Sequence, residues 1–219
     1  SFNVEFWFII FALFAFITIL GGVKNGIERS SKIMMPILVV LAIMVVIYSV
    51  TRPGAIEGVK YFLIPNFEDF SIMTIVAAMG QMFYSLSIAM GILYTYGSYL
   101  EKDVDIEKST KQVELFDTAI AILAGLMVIP AVFAFSTEAA ESLQAGPSLM
   151  FITLPKVFAS MGAGTIAGIL FFLLVFFAAL TSAISLLETS VSSLSQQFHI
   201  SRNKAIVIMA FVMLAFGTT

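Results

Sequence analysis

Apolar residues occupy the chain in long blocks rather than in alternating or amphipathic patterns. Blocks long enough to cross roughly 30 Å of hydrocarbon, about 20 residues each, fall near 3–22, 32–51, 71–99, 109–136 and 161–197, and a sixth runs over 203–219. Amphipathic period is weak inside them, as expected of helices with apolar neighbours on every side. The short alternating strands that close into a membrane β-barrel are lacking. The pattern therefore predicts an all-α integral membrane protein, one transmembrane helical domain over 1–219. Two stretches between blocks, 52–70 and 137–160, do not resemble disordered linkers. Residues 62–67 mix aromatics with Pro65, and residues 147–160 are apolar yet too short to span. The second predicts a re-entrant or surface-lying helix, serving either as a packed cap or as a lid over a vestibule.

Composition agrees with this class: 60% of the 219 residues are hydrophobic, 22 are Phe and only 11% are charged. With no Cys in the sequence, a disulfide framework, a thiolate metal site and a cysteine nucleophile are excluded. The net charge of −3 gives no reason to expect nucleic acid. Basic residues are distributed unevenly between the loops. Lys24, Arg29, Lys32, Lys102, Lys108, Lys111, Arg202 and Lys204 fall on one side, against Arg52, Lys60 and Lys156 on the other. By the positive-inside rule the first, third and fifth loops are cytoplasmic and residue 1 enters from outside. The outer stretches 52–70 and 137–160 carry Glu57, Glu68, Asp69, Glu138 and Glu141.

Three polar clusters lie inside the apolar blocks. Tyr84-Ser85-Leu86-Ser87, between Gly80 and Gly91, sits near the midplane of a block longer than a straight crossing needs, roughly 20 Å from its outer start and 18 Å from its inner end at 1.5 Å per residue. A break near 86–91 would expose free amides, free carbonyls and opposed dipole ends, the makings of a binding site. A kinked helix with Ser hydroxyls bonded back to its own carbonyls fits these residues equally well. Ala178 to Ala183 brings adjacent Thr181 and Ser182 hydroxyls within a turn of the Ala178 carbonyl, hard oxygens suited to Na⁺. Small-residue helix packing is the competing explanation. Ser185 and Glu188 continue this polar stripe, Glu188 as a relay or gate, or as a structural hydrogen-bond partner. Asp117 lies roughly 15 Å deep if its helix starts near Glu107, where an ionisable group is a functional candidate; a later start makes it interfacial. The lone His199 falls in a loop and is expected to be solvated.

Gly80-Gln81-Met82-Phe83-Tyr84-Ser85-Leu86-Ser87 followed by Gly91 resembles the broken sixth helix of the neurotransmitter:sodium symporter family. Gly26 to Arg29 with Ser31 to Pro36 is similar to the start of that family's fifth helix, Ile122 to Gly125 with Pro130 to Phe135 to its seventh, and Phe177 to Ser182 to its eighth. The resemblance covers essentially the whole chain, as helices four to nine of the inverted-repeat leucine-transporter-type fold. The chain is accordingly expected to be an internal fragment, inactive alone, whose partners include the missing helices of its full-length chain and the lipid bilayer.

The resemblance implies roles residue by residue. Tyr84 would stack over a substrate side chain, Ser85 and Ser87 would line the pocket about its backbone end, and Met90 would form an apolar wall with Leu186; Ser182 borders the same pocket. Ser85 and Asp117 would ligate one sodium, and the Ala178 carbonyl with the Thr181 and Ser182 hydroxyls a second. Ala121 stands where chloride-dependent members carry a Ser, together with a Gln matched here by Gln81, which implies no chloride requirement. The expected function is Na⁺-coupled symport of an amino acid or related amine by alternating access, in the cell membrane of a bacterium or archaeon. A channel using 84–87 carbonyls as a filter, or a proton-coupled transporter of the same architecture with Asp117 or Glu188 titrating, is the alternative. An intramembrane serine protease using Ser85 or Ser87 would lack a His or Lys base and a Gly-x-Ser-x-Gly elbow.

Overall fold

The computed structural model describes residues 2–68, 70–135, 148–160 and 164–217, so residues 137–147 of the second outer stretch, with Glu138 and Glu141, and Asp69 lie outside the described residues. Every regular element among those described is helical. Helix α1 (Phe2–Leu20) is followed by a π turn (Val23–Glu28), α2 (Arg29–Val50), α3 (Ala55–Leu63) and α4 (Ile72–Ser85). A 3₁₀ turn (Ile88–Met90) separates α4 from α5 (Ile92–Ser98), and α6 (Ile106–Phe135) comes next. A π turn (Leu149–Thr153) runs into α7 (Leu154–Ser160), and α8 (Gly164–Gln197) and α9 (Arg202–Gly217) complete the order. Among the described residues, Val23–Val50, Ile106–Ala134 and Gly164–Gln197 are continuous helices long and apolar enough to cross a membrane. Val4–Leu20, Ile72–Ser85 and Leu149–Ala159 are apolar but shorter.

The chain divides into two compact units, the first comprising Ser1–Pro36, Phe83–Val104 and Phe176–Thr219. Its core joins α1, the start of α2, the second half of α8 and α9, with Ala15, Ile19, Leu180, Ile184, Val191 and Ala205 buried. Small side chains on these helices let the backbones approach closely. The turn after α1 shows the same economy of volume: a Cβ on Gly21 would stand 2.9 Å from the Gly26 Cα, and one on Gly26 would collide with the Thr18 carbonyl. Only glycine permits the chain to fold back so tightly there. Phe11 and Phe14 place ring edges on Phe176, with centroids 5.9 and 6.2 Å apart.

The second unit comprises Ile37–Met82 and Asp105–Val175. Its most extensive helix pairing is α3 along α6. Gly58 makes it possible, since a Cβ there would come 2.7 Å from the Pro130 Cα, while Gly125 leaves room for the Phe62 ring. Tyr61 and Phe133 rings meet at 5.1 Å. Helix α3 lies in the stretch 52–70, where hydropathy alone announces no helix: it is only nine residues long, with an ion pair between Glu57 and Lys60 at 2.9 Å on its exposed side. In the same unit α7 lays Phe158 against Phe171 of α8, centroids 5.5 Å apart.

Candidate functional site

Between residues 71 and 99 the backbone is two helices and a joint. Helix α4 ends at Ser85, Ser87 adopts a left-handed conformation (φ 56°, ψ 30°), and Gly91 (φ 73°) precedes α5. The left-handed region is costly for a side chain with a Cβ, so Ser87 is held there by its surroundings rather than by preference. Of the two bracketing glycines only Gly91 marks the joint. Gly80 lies within α4 with open space where a Cβ would be, whereas a Cβ on Gly91 would stand 3.2 Å from Thr189 Cγ2. The Ser87 N–H donates to the Tyr84 carbonyl at 3.0 Å and the Met90 N–H to the Ser87 carbonyl at 3.4 Å. These bonds between residues three apart replace the regular helical ladder around the turn, where the C-terminal end of α4 faces the start of α5 and opposite helix-dipole ends meet.

Within the first unit, the joint opens onto a cavity of about 450 Å³ lined by Tyr84, Ser85, Ser87 and Met90 on one side and by Thr181, Ser182, Ser185 and Leu186 on the other. Its volume falls in the range of small-molecule sites. Six residues assigned to substrate from sequence, Tyr84, Ser85, Ser87, Met90, Ser182 and Leu186, thus share one concavity. Thr181 donates its hydroxyl proton to the Ala178 carbonyl at 2.9 Å. A hydroxyl binds a cation through its lone pairs, so a proton directed back along the helix leaves Thr181 able to do so; the same bond would also form in a helix with no ligand. Asp117 belongs to the second unit, half-buried on α6, eleven residues after the helix starts at Ile106.

Five further residues line the cavity that the sequence pattern did not single out: Ser31 and Met35 at the start of α2, Ile92 and Tyr96 on α5, and Ile184 on α8. Tyr96 bonds the Ser185 hydroxyl at 3.1 Å. The signal for Tyr96 in the sequence is an aromatic five residues after Gly91, one turn before Tyr99. Glu188 is fully buried on α8 and neutralised rather than free. Arg202 grips it with two bonds of 2.6 and 2.8 Å, Tyr99 donates to it at 2.6 Å, and Arg202 also donates to the Ile19 carbonyl at 3.0 Å. Burial in apolar surroundings demands such complete pairing, and it gives Glu188 a structural partner set that ties α5, α8, α9 and the end of α1 together. His199 has a left-handed backbone (φ 51°) in the exposed turn between α8 and α9.

Comparison with known proteins matches the chain as a whole to a family. An uncharacterized sodium-dependent transporter of Haemophilus influenzae is 37% identical over 94% of this chain and 44% of its own length. One of Bacillus subtilis is 39% identical over 90% of this chain and 43% of its own. A solved structure, MhsT in complex with L-phenylalanine, superposes with a TM-score of 0.83 at 41% identity, covering 97% of this chain and 48% of that one. The chain thus spans a little under half the length of each of these three proteins. The break, the hydroxyl cluster and the all-helical fold agree with an integral membrane protein of transporter rather than enzyme type. Because the model of the sodium:neurotransmitter symporter family matches residues 3–218, the chain belongs to that family of sodium-dependent transporters.

Proposed function

We propose that the full-length protein is a symporter that couples Na⁺ entry to uptake of an amino acid or related amine by alternating access, in the cell membrane of a bacterium or archaeon. The observation that carries this reading is the meeting of the broken helix at 84–91 with the Thr181–Ser182 hydroxyls around one cavity. The opposed helix ends at the joint suit the charged ends of an amino acid, and Met90 with Leu186 suits an apolar side chain. The L-phenylalanine bound in MhsT supports an amino-acid substrate here. Sodium would be held by the Ala178 carbonyl and the Thr181 and Ser182 hydroxyls. The family resemblance implies a second sodium at Ser85. Ala121, in place of a hydroxyl residue, supports transport without chloride. The rest of the full-length chain would close the cavity, over which the Tyr84 side chain is 67% exposed.

The test is uptake by the full-length protein in proteoliposomes, offered each of the common L-amino acids with an inward Na⁺ gradient. At least one should enter saturably, uptake should vanish when choline replaces Na⁺, and it should persist when gluconate replaces chloride. Flux that rises linearly with concentration and ignores the Na⁺ gradient would instead mark a channel and overturn the proposal.

A further inference from the structure

Tyr96 and Ser185 are separated by 89 positions in sequence, yet their hydroxyl oxygens lie 3.1 Å apart within the first unit. Ser185 has one proton, and it donates that proton to the Thr181 carbonyl at 3.1 Å. Either hydroxyl can donate in the bond between them, and with the Ser185 proton on the Thr181 carbonyl it is the Tyr96 phenol that does so. The result is a two-step relay, from the Tyr96 phenol to the Ser185 hydroxyl to the backbone of Thr181. Both side chains are half-buried and both line the cavity. The Tyr96 ring also packs against the buried core and sets its edge toward Tyr99, centroids 6.3 Å apart. Tyr99 is fixed in turn by Glu188.

The arrangement has a definite geometry. Tyr96 on α5 and Tyr99, which caps its end, are one turn apart, Ser185 and Glu188 are one turn apart on α8, and the two hydrogen bonds form successive rungs between these segments. The Glu188 rung lies outside the cavity; the Ser185 rung forms part of its wall. A half-buried phenol deprived of its acceptor must find another partner or remain unsatisfied. The cavity is where the Tyr96 hydroxyl would find one, and there it would compete with a bound substrate for space and for hydrogen bonds.

We propose that Ser185 is a positioning residue for substrate binding: it holds the Tyr96 side chain against α8 and so keeps the α5 side of the cavity shaped for substrate. This rests on the transporter reading given above. Ser185 need not touch substrate itself, and its effect belongs to the binding of substrate rather than to turnover.

The test uses the full-length transporter in proteoliposomes with whichever labelled L-amino acid wild type accumulates fastest in Na⁺. Ser185→Ala should raise KM about threefold to tenfold, the range expected for one intramolecular hydrogen bond, with maximal uptake per reconstituted transporter unchanged. Tyr96→Phe removes the same bond from its other end and should raise KM by a similar factor. The double variant should be no worse than either single one, since both delete a single interaction. Ser185→Thr keeps the hydroxyl and should restore KM. The proposal is overturned by a wild-type KM in Ser185→Ala, by multiplying effects in the double variant, or by failure of Thr to rescue. Absence of Na⁺-dependent uptake in wild type would overturn the transporter reading, and this inference with it; wild-type uptake alongside an unchanged Ser185→Ala would overturn this inference alone.

Discussion

Gly91 shows how much of the site depends on one absent side chain. Its φ of 73° lies where a Cβ is strained, and that Cβ would meet Thr189 Cγ2 at 3.2 Å. Gly91→Ala therefore combines two costs, about 1–2 kcal/mol for the left-handed backbone and a smaller steric term that Thr189 can relieve by shifting. Melting of the full-length protein in detergent should fall in Gly91→Ala. Adding Thr189→Ser, which removes the obstructing methyl, should recover the steric part and leave the backbone part. Full recovery in the double variant would mean that the backbone at 91 relaxes out of the left-handed region. Ser87 poses the reverse case: it bears a Cβ at φ 56° and lines the cavity, the kind of strained position that clusters at functional sites.

At the scale of elements, the joint and the hydroxyl cluster could be found in the sequence because both are polar or glycine-containing interruptions in long apolar blocks. Pairings between distant residues could not. Nothing in the spacing of Glu188 and Arg202, 14 residues apart across the α8–α9 turn, specifies that the arginine folds back to grip a carboxylate with no exposed surface. Tyr99 reaches the same carboxylate from 89 positions away. Helix α3 was hidden for another reason: nine residues resting on Gly58 and Gly125 give a short pattern whose meaning depends on the α6 surface it meets. The Glu188 cluster allows a quantitative expectation. Removing one partner of a buried pair leaves an uncompensated charge and costs about 3–5 kcal/mol, so Arg202→Ala should sharply lower the melting temperature and yield of the full-length protein. Arg202→Lys should recover little, because one ammonium cannot reproduce the two-pronged grip and the bond to the Ile19 carbonyl. A wild-type melting curve for Arg202→Ala would show that water reaches Glu188 and that the pair is not a buried clamp.

On the scale of the whole molecule, the question is how the proposed sodium site, made of neutral oxygens, would couple an ion to a fold. The Ala178 carbonyl and the Thr181 and Ser182 hydroxyls offer three oxygens, fewer than the roughly six that hard cations collect. The remaining ligands would have to come from the part of the full-length chain outside this segment, which spans a little under half the length of its relatives. A cation shared between two parts of a chain stabilises only the arrangement in which both parts reach it. Sodium should therefore raise the melting temperature of the full-length protein relative to choline at equal ionic strength. At a hundredfold excess over Kd the stabilisation is about 2.7 kcal/mol for one site. Thr181→Ala combined with Ser182→Ala should abolish most of that increment while leaving the melting temperature in choline nearly unchanged. The Thr181 hydroxyl bonds back to the Ala178 carbonyl at 2.9 Å, a contact that contributes little to helix stability. If the double variant instead melts lower in choline and keeps the full sodium increment, these hydroxyls serve helix packing and the ion is bound elsewhere.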